Sequence, residues 1–376
     1  MHENYLLRPI VYPLLKWLFR LEVEGMENYH AAGNKCIIIS NHQSFLDPLL
    51  LGTFLPEKPA FAINIFQADK WYFRKLDKIA KLYKLDPSRP MVMKRLIQDV
   101  RKGGKKVVIF PEGRITTSGG IMKVYEGASK ILEKTGATIL PIHIDGADYS
   151  KFSRLGRYVR QRWFPQVRIT ILPPRAPLEE GHEAHETLIY DMMCDAAFAA
   201  SRRNRCVLEA ILEASEREGA KHVVASDITR VDMNYRTLFL RAFVLRRLLS
   251  RILGNQTHAA VLLPNSLAVT VTFLSLQMLR KIPCMLNFSA GASNILHACK
   301  IAGVKTVLTS HTFIEKAKLE HVIEALSPHY NIVYLEDARK DITTSDKLIG
   351  LINSRRARSA LSRVMYDTRA NDPAVI

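Results

Sequence analysis

His42 and Asp47 stand five positions apart in SNHQSFLDPLL (Ser40–Leu50), directly after the apolar run KCIIIS. A histidine titrates near neutrality and can take a proton from a hydroxyl group. A carboxylate on its second ring nitrogen would fix the tautomer and stabilise the imidazolium. The competing reading is structural, since the same residues cap helices and tie loops. A second stretch, VVIFPEGRITTSGG (107–120), opens a buried run into Pro111, Glu112, Gly113 and Arg114. Glycine lets the backbone approach a ligand closely. Arginine offers a planar fork of donors suited to phosphate. In a third stretch, ATILPIHIDG (137–146), Pro141 interrupts an apolar strand pattern and marks a bulge or an edge.

All three stretches lie at strand ends or within a strand pattern. KCIIIS (35–40), PAFAINI (59–65), KVVIF (106–110), TILPIHI (138–144) and VRITIL (167–172) read as strands. PLLLGTFL (48–55), ADKWYFRKLDKIAKLY (68–83), MVMKRLIQDVRKGG (91–104) and YEGASKILEKTG (125–136) read as helices. Alternation of this kind predicts an α/β layer with functional loops at the strand ends. PPRAPLEEGHEAHE (173–186) breaks the pattern, and a helix follows from about 185 to 203. A second α/β series begins beyond residue 206, with strands at 258–264, 282–288, 304–310 and 331–337 and helices at 266–281 and 292–303. Residues 241–251 read as a basic amphipathic helix packed on its apolar side.

The net charge of +18 over 376 residues favours an anionic partner: nucleic acid, a phospholipid surface or an acidic carrier protein. Cysteines 36, 194, 206, 284 and 299 show no C-x-x-C spacing and read as reduced thiols of a cytosolic protein. His182 and His185 lack the spacing of a zinc helix, and no metal site is expected. No uninterrupted apolar run of about 18 residues predicts a spanning helix. Tyr5–Val23, with Trp17 between basic groups, instead reads as an interfacial segment over residues 1–24, or as a helix on the domain's own core. Pro9 and Pro13 should prevent a long helix there. In 153–168, Arg154, Arg157, Arg160, Arg162 and Arg168 surround Tyr158, Trp163 and Phe164. Nucleic acid or a membrane could be met by such interleaving, and the family resemblance set out next favours a membrane or an acidic carrier.

Taken together, Asn41-His42-x4-Asp47, Phe110-Pro111-Glu112-Gly113 and the proline at 141 resemble the motifs of glycerolipid acyltransferases of the 1-acylglycerol-phosphate type, in order and at plausible spacing. The resemblance implies transfer of an acyl group from a thioester to a hydroxyl, with His42 as base and Asp47 as its partner. It also implies that Glu112, Gly113, Arg114 and Pro141 serve substrate binding. No G-x-S-x-G elbow is present, so direct attack by the bound hydroxyl is the simpler scheme. The family's second motif usually ends in an arginine that meets the acceptor's phosphate. Here KLYKLDPSRP (81–90) places Pro87 at that position, and Arg89 is out of register.

Residues 259–287 resemble the opening of an adenylate-forming, acyl-activating domain. An acyltransferase followed by such a domain is similar to the bifunctional 2-acylglycerophosphoethanolamine acyltransferase/acyl-[acyl-carrier-protein] synthetase family. That likeness implies an acyltransferase domain over 25–205 and an incomplete acyl-activating domain over 206–376. It implies an acyl-carrier-protein or coenzyme A thioester as donor, no tightly bound cofactor, and lysophosphatidylethanolamine as acceptor. 1-Acylglycerol-3-phosphate is the alternative acceptor, and a non-enzymatic membrane-binding remnant the alternative role. The implied setting is peripheral, on the cytoplasmic face of the inner membrane, with no nucleic-acid partner. The phosphate loop of adenylating enzymes, T-S-G-[ST]-x-G-x-P-K-G, is not found in the sequence. No synthetase activity is therefore expected, and an unpaired sheet edge is expected in the second half.

Overall fold

The computed structural model describes residues 8–64, 81–85, 91–103, 106–179, 181, 185–227 and 231–376. The chain forms two compact units, residues 1–201 and 202–376, both α/β.

The first unit is built on a seven-stranded sheet ordered β1-β7-β6-β2-β5-β3-β4. Its strands are β1 (Glu22–Glu24), β2 (Cys36–Ser40), β3 (Ala60–Asn64), β4 (Leu82–Leu85), β5 (Val107–Ile109), β6 (Thr138–Asp145) and β7 (Arg168–Ile171). Only the β6–β7 pairing is antiparallel. Helices are α1 (Arg8–Leu18), α2 (Met26–Ala31), α3 (Asp47–Phe54), α4 (Met91–Arg101), α5 (Glu126–Thr135) and α6 (His185–Ala200). Every residue of β2 is buried, as a central parallel strand covered on both faces requires. Successive side chains alternate between two cores. Cys36 and Ile38 enter the core with Leu50, Leu51 and Phe54 of α3. Ile37 and Ile39 enter the core with Leu96 of α4, Ile131 of α5 and Ile189 of α6.

Two features of β6 and its exit are sequence-dictated. From the Ile139–Arg175 bridge to the Ile142–Ile171 pair, three steps on β6 face four on the returning chain. Pro141, which has no N–H to offer, sits in that bulge and accepts from Leu172 N–H at 3.0 Å. At Gly146 the backbone has φ +90°, and an added Cβ would lie 2.1 Å from the Gln166 carbonyl oxygen.

Several sequence expectations need correction. Residues 82–83, read as the tail of a helix, belong to strand β4, and 68–80 of that stretch lie outside the described residues. At the end of the N-terminal segment Phe19 and Leu21 are buried, and β1 pairs with β7. Pro13 lies inside α1, and Pro9 occupies its first turn, where no backbone donor is required. Among the described residues no helix is long and apolar enough to cross a membrane.

The second unit contains a parallel sheet ordered β11-β10-β12-β13 and a separate antiparallel pair, β8 (Val223–Ser226) with β9 (Asp232–Asn234). The parallel strands are β10 (His258–Val261), β11 (Ile282–Met285), β12 (Thr306–Thr309) and β13 (Asn331–Tyr334). Residues 335–337, read as strand, begin a helical turn instead. An unpaired edge is expected in this half, on no particular strand; at the β11 edge the last residue of the chain adds backbone bonds. Met285 N–H donates to Ile376 O at 2.8 Å, and Ile376 N–H donates to Pro283 O at 3.0 Å. Among the helices are α7 (Val207–Glu218), α8 (Tyr235–Leu253) and α9 (Leu267–Gln277). Arg247 and Arg251 of α8 reach Asp346 on the helix Thr344–Arg355, at 2.7 and 2.9 Å. These guanidinium groups hold the buried Asp346 carboxyl well below the usual carboxylate range.

Two stability outcomes are expected. Gly146→Ala should lower unfolding free energy by roughly 1–3 kcal/mol, read by urea denaturation, because the left-handed backbone and the carbonyl contact both oppose a side chain. Asp346 has a folded pKa below its unfolded one, so its pairing stabilises above the unfolded value and fades as pH falls through the folded one. Asp346→Asn should therefore lower the denaturation midpoint at pH 7, and its gap from the parent chain should narrow toward pH 3.

Candidate active site

Strands β2 and β5 are parallel neighbours, with Ile39 opposite Ile109. The loops that follow them consequently leave the sheet side by side at its carboxyl edge, where open α/β sheets bind ligands. Asn41 fixes the first loop: its Nδ2 donates to Ile144 O and its Oδ1 accepts from Ile144 N–H, both at 2.8 Å. A side chain thus continues the β2–β6 ladder past Ser40.

Asp47, in the first turn of α3, is fully buried. A buried carboxylate must be satisfied by donors. Oδ2 accepts from Gln43 N–H at 2.6 Å and Ser44 N–H at 2.8 Å, and Oδ1 accepts from Ser44 Oγ–H at 3.1 Å. His42 Nδ1 lies 2.8 Å from the same Oδ2. Because that oxygen is an acceptor, Nδ1 carries the proton, and Nε2 is left with its lone pair. The imidazole stacks on Phe110 with ring centroids 4.2 Å apart, and its side chain is 13% exposed. The geometry is therefore that of a base with its orienting carboxylate.

Glu112 is buried and ties the two loops together. Oε1 accepts from His42 N–H at 3.1 Å, and Oε2 accepts from Met122 N–H at 3.0 Å. Thr116 N–H adds a bond to His42 O at 2.8 Å. Burial pushes the Glu112 carboxyl above the ordinary carboxylate range, while the two N–H donors oppose that rise. Its two oxygens thus face backbone donors on either side of the FPEG turn. Pro141 is buried within β6.

Gly113 and Arg114 are exposed and, with His42, line a cavity of about 590 Å³. Its wall is largely apolar, including Ala62, Ile63, Leu85, Met93, Ile109 and Ile131. Gly113 has φ +62°, and an added Cβ would meet Tyr125 Cδ2 at 3.2 Å, so both backbone and space call for glycine. Glu126 and Lys130 of α5 also line the cavity and form an ion pair. Sequence reading placed these two on a helix without assigning them to the site. Their i, i+4 spacing was visible, but which way that face points was not. His185 lies at the start of α6, 3.8 Å from Glu133, whereas His182, Pro87 and Arg89 lie outside the described residues. Among the described residues no group of three His, Cys, Asp or Glu side chains is placed to hold a metal ion.

Residues 20–145 match the family model described as Acyltransferase. The chain is 32% identical over 143 residues to the chloroplastic 1-acyl-sn-glycerol-3-phosphate acyltransferase of Brassica napus, covering 36% of this chain and 39% of the relative. It is 30% identical over 137 residues to the 1-acyl-sn-glycerol-3-phosphate acyltransferase of Pseudomonas aeruginosa, covering 35% of this chain and 51% of the relative. The match thus spans about two fifths to one half of these relatives' lengths. Among solved structures, the 1-acyl-sn-glycerophosphate acyltransferase of Thermotoga maritima aligns at 21% identity and TM-score 0.38, covering 54% of this chain and 85% of that one. An N-terminal subdomain of the Klebsiella oxytoca protein NpsA aligns at 14% identity and TM-score 0.31, covering 38% of this chain and 34% of that one. The stretch matched by the Acyltransferase model lies in the first unit and includes the His42–Asp47 pair.

Asp47→Asn tests the pairing. An amide would set an N–H2 group among N–H donors and release control of the tautomer. If the pair serves the acyl transfer proposed below, kcat should fall roughly 10²- to 10⁴-fold, with little change in far-UV circular dichroism. A variant with unchanged kcat would refute the orienting role.

Proposed function

We propose that the first unit transfers a fatty acyl group from an acyl-carrier-protein or coenzyme A thioester to a lysophospholipid hydroxyl. The observation that carries this reading is the buried Asp47–His42 pair on the wall of a largely apolar cavity that also bears Arg114. His42 Nε2 takes the proton of the acceptor hydroxyl as its oxygen attacks the thioester carbonyl. Asp47 stabilises the imidazolium that results. As the tetrahedral intermediate collapses, the C–S bond breaks and the imidazolium returns the proton to the departing sulfur. The new C–O bond is the product ester. Apolar cavity residues suit the acyl chain, and Arg114 with Lys130 suits the acceptor's phosphate.

Lysophosphatidylethanolamine is the acceptor we favour. Glu126 at the cavity supports it, because a carboxylate beside two cations complements a zwitterionic headgroup. The alternative acceptor, 1-acylglycerol-3-phosphate, is supported by the names of the two relatives above. The reaction is assigned to a peripheral enzyme on the cytoplasmic face of the inner membrane, where a carrier-protein donor and a lipid acceptor meet. For the second unit we propose no ATP-dependent acyl activation.

Purified protein in detergent should acylate one member of a lysophospholipid panel when given a thioester. His42→Ala should lower that rate by roughly 10²- to 10⁴-fold while thermal unfolding is unchanged. Full turnover in the variant would sink the mechanism. Turnover with ATP and free fatty acid alone would overturn the assignment of the second unit.

A further inference from the structure

Two exposed parts of the first unit lie against each other. On α1, Tyr12, Leu15 and Leu18 pack onto the core, whereas Leu14 is 49% exposed and Trp17 is 75% exposed. The segment 150–166 leaves Phe152, Tyr158, Trp163 and Phe164 outside, Trp163 by 62%. Arg154, Arg157 and Arg160 are exposed between these rings. Phe164 meets Phe19, at the end of α1, edge-on with centroids 5.5 Å apart. Phe152 meets Trp163 in the same way at 6.2 Å.

The segment has a fixed shape. Leu155 is buried, and an added Cβ at Gly119 would lie 3.4 Å from its Cδ1. Gln161 Nε2 donates to Ser153 O at 3.2 Å and to Ser153 Oγ at 3.0 Å. It is also seated on the histidine loop. Phe45 N–H donates to Phe152 O at 3.2 Å, and the Arg154 guanidinium lies 5.9 Å from the Phe45 ring centroid.

Large rings exposed together, beside a helix that shows its own Leu and Trp, have no reason to face water. Tryptophan and tyrosine sit favourably at headgroup depth, and arginine meets lipid phosphate. An aliphatic contribution from Leu14 suits acyl chains better than stacked bases. We propose that α1 and residues 152–164 form one docking face for an anionic phospholipid bilayer, holding the histidine loop at the lipid surface. Its purpose rests on the lipid acceptor proposed above, but its measurement needs no catalysis.

Co-sedimentation with phosphatidylcholine vesicles, with and without phosphatidylglycerol, tests the face. R154Q/R157Q/R160Q should weaken partition onto phosphatidylglycerol-containing vesicles by roughly a hundredfold. W17A/W163A should weaken it by about tenfold or more on either composition. Both variants should retain the parent's melting temperature. If either failed to fold, the other would carry the test alone. Both should also keep the parent's transfer rate in detergent micelles. Undiminished vesicle binding by the folded variants overturns the proposal. So does a salt-sensitive gel shift of a single-stranded oligonucleotide that the arginine variant loses while its vesicle binding persists. A parent chain silent in the transfer assay, with vesicle binding lost as expected in the variants, overturns the proposed reaction and supports the face.

Discussion

A single buried oxygen, Asp47 Oδ2, organises the candidate site. It gathers two backbone N–H groups and the ring N–H of His42, all within 2.8 Å. An ionised carboxylate without water is tolerated only with such donors around it. The loop from Ser40 to Asp47 therefore turns back on itself, and α3 starts where that turn ends. The imidazole orientation follows from this requirement, with the Phe110 ring limiting it on one face.

Much of this arrangement was legible in the sequence. Isoleucine and valine runs declared β2, β5 and β6, and the loops that follow β2 and β5 hold the His42–Asp47 pair and the FPEG turn. Register then brought His42 beside the FPEG loop, since parallel neighbours end at the same level. What sequence hid was mostly direction and burial. The burial of Glu112 between two backbone donors could not be read from its spacing, which does not distinguish a buried carboxylate from an exposed one. Glu126 and Lys130 looked like an ordinary helical pair. Strands β1 and β4 are short edge strands, and neither EVE nor LYKL gives enough periods to separate strand from helix.

The second unit shows the same limit at its margins. Its central strands were readable from apolar runs, but residues 335–337 continued a run that the backbone had already turned into helix. The β8–β9 pair escaped notice because both strands are brief and half exposed. Long-range pairing of Ile376 with Pro283 and Met285 leaves no local signature at all, since the partners are set by where the chain returns.

The Glu112 bridge has a mechanical meaning as well. One short side chain spans from the backbone of His42 to that of Met122, beyond the exposed turn at Gly113 and Arg114. The two sides of the cavity entrance are thereby braced like the legs of a trestle. Stiffness of this kind lets a weak thermal push on one loop be shared by the other, so the spacing of His42 and Arg114 is kept while the turn between them stays exposed.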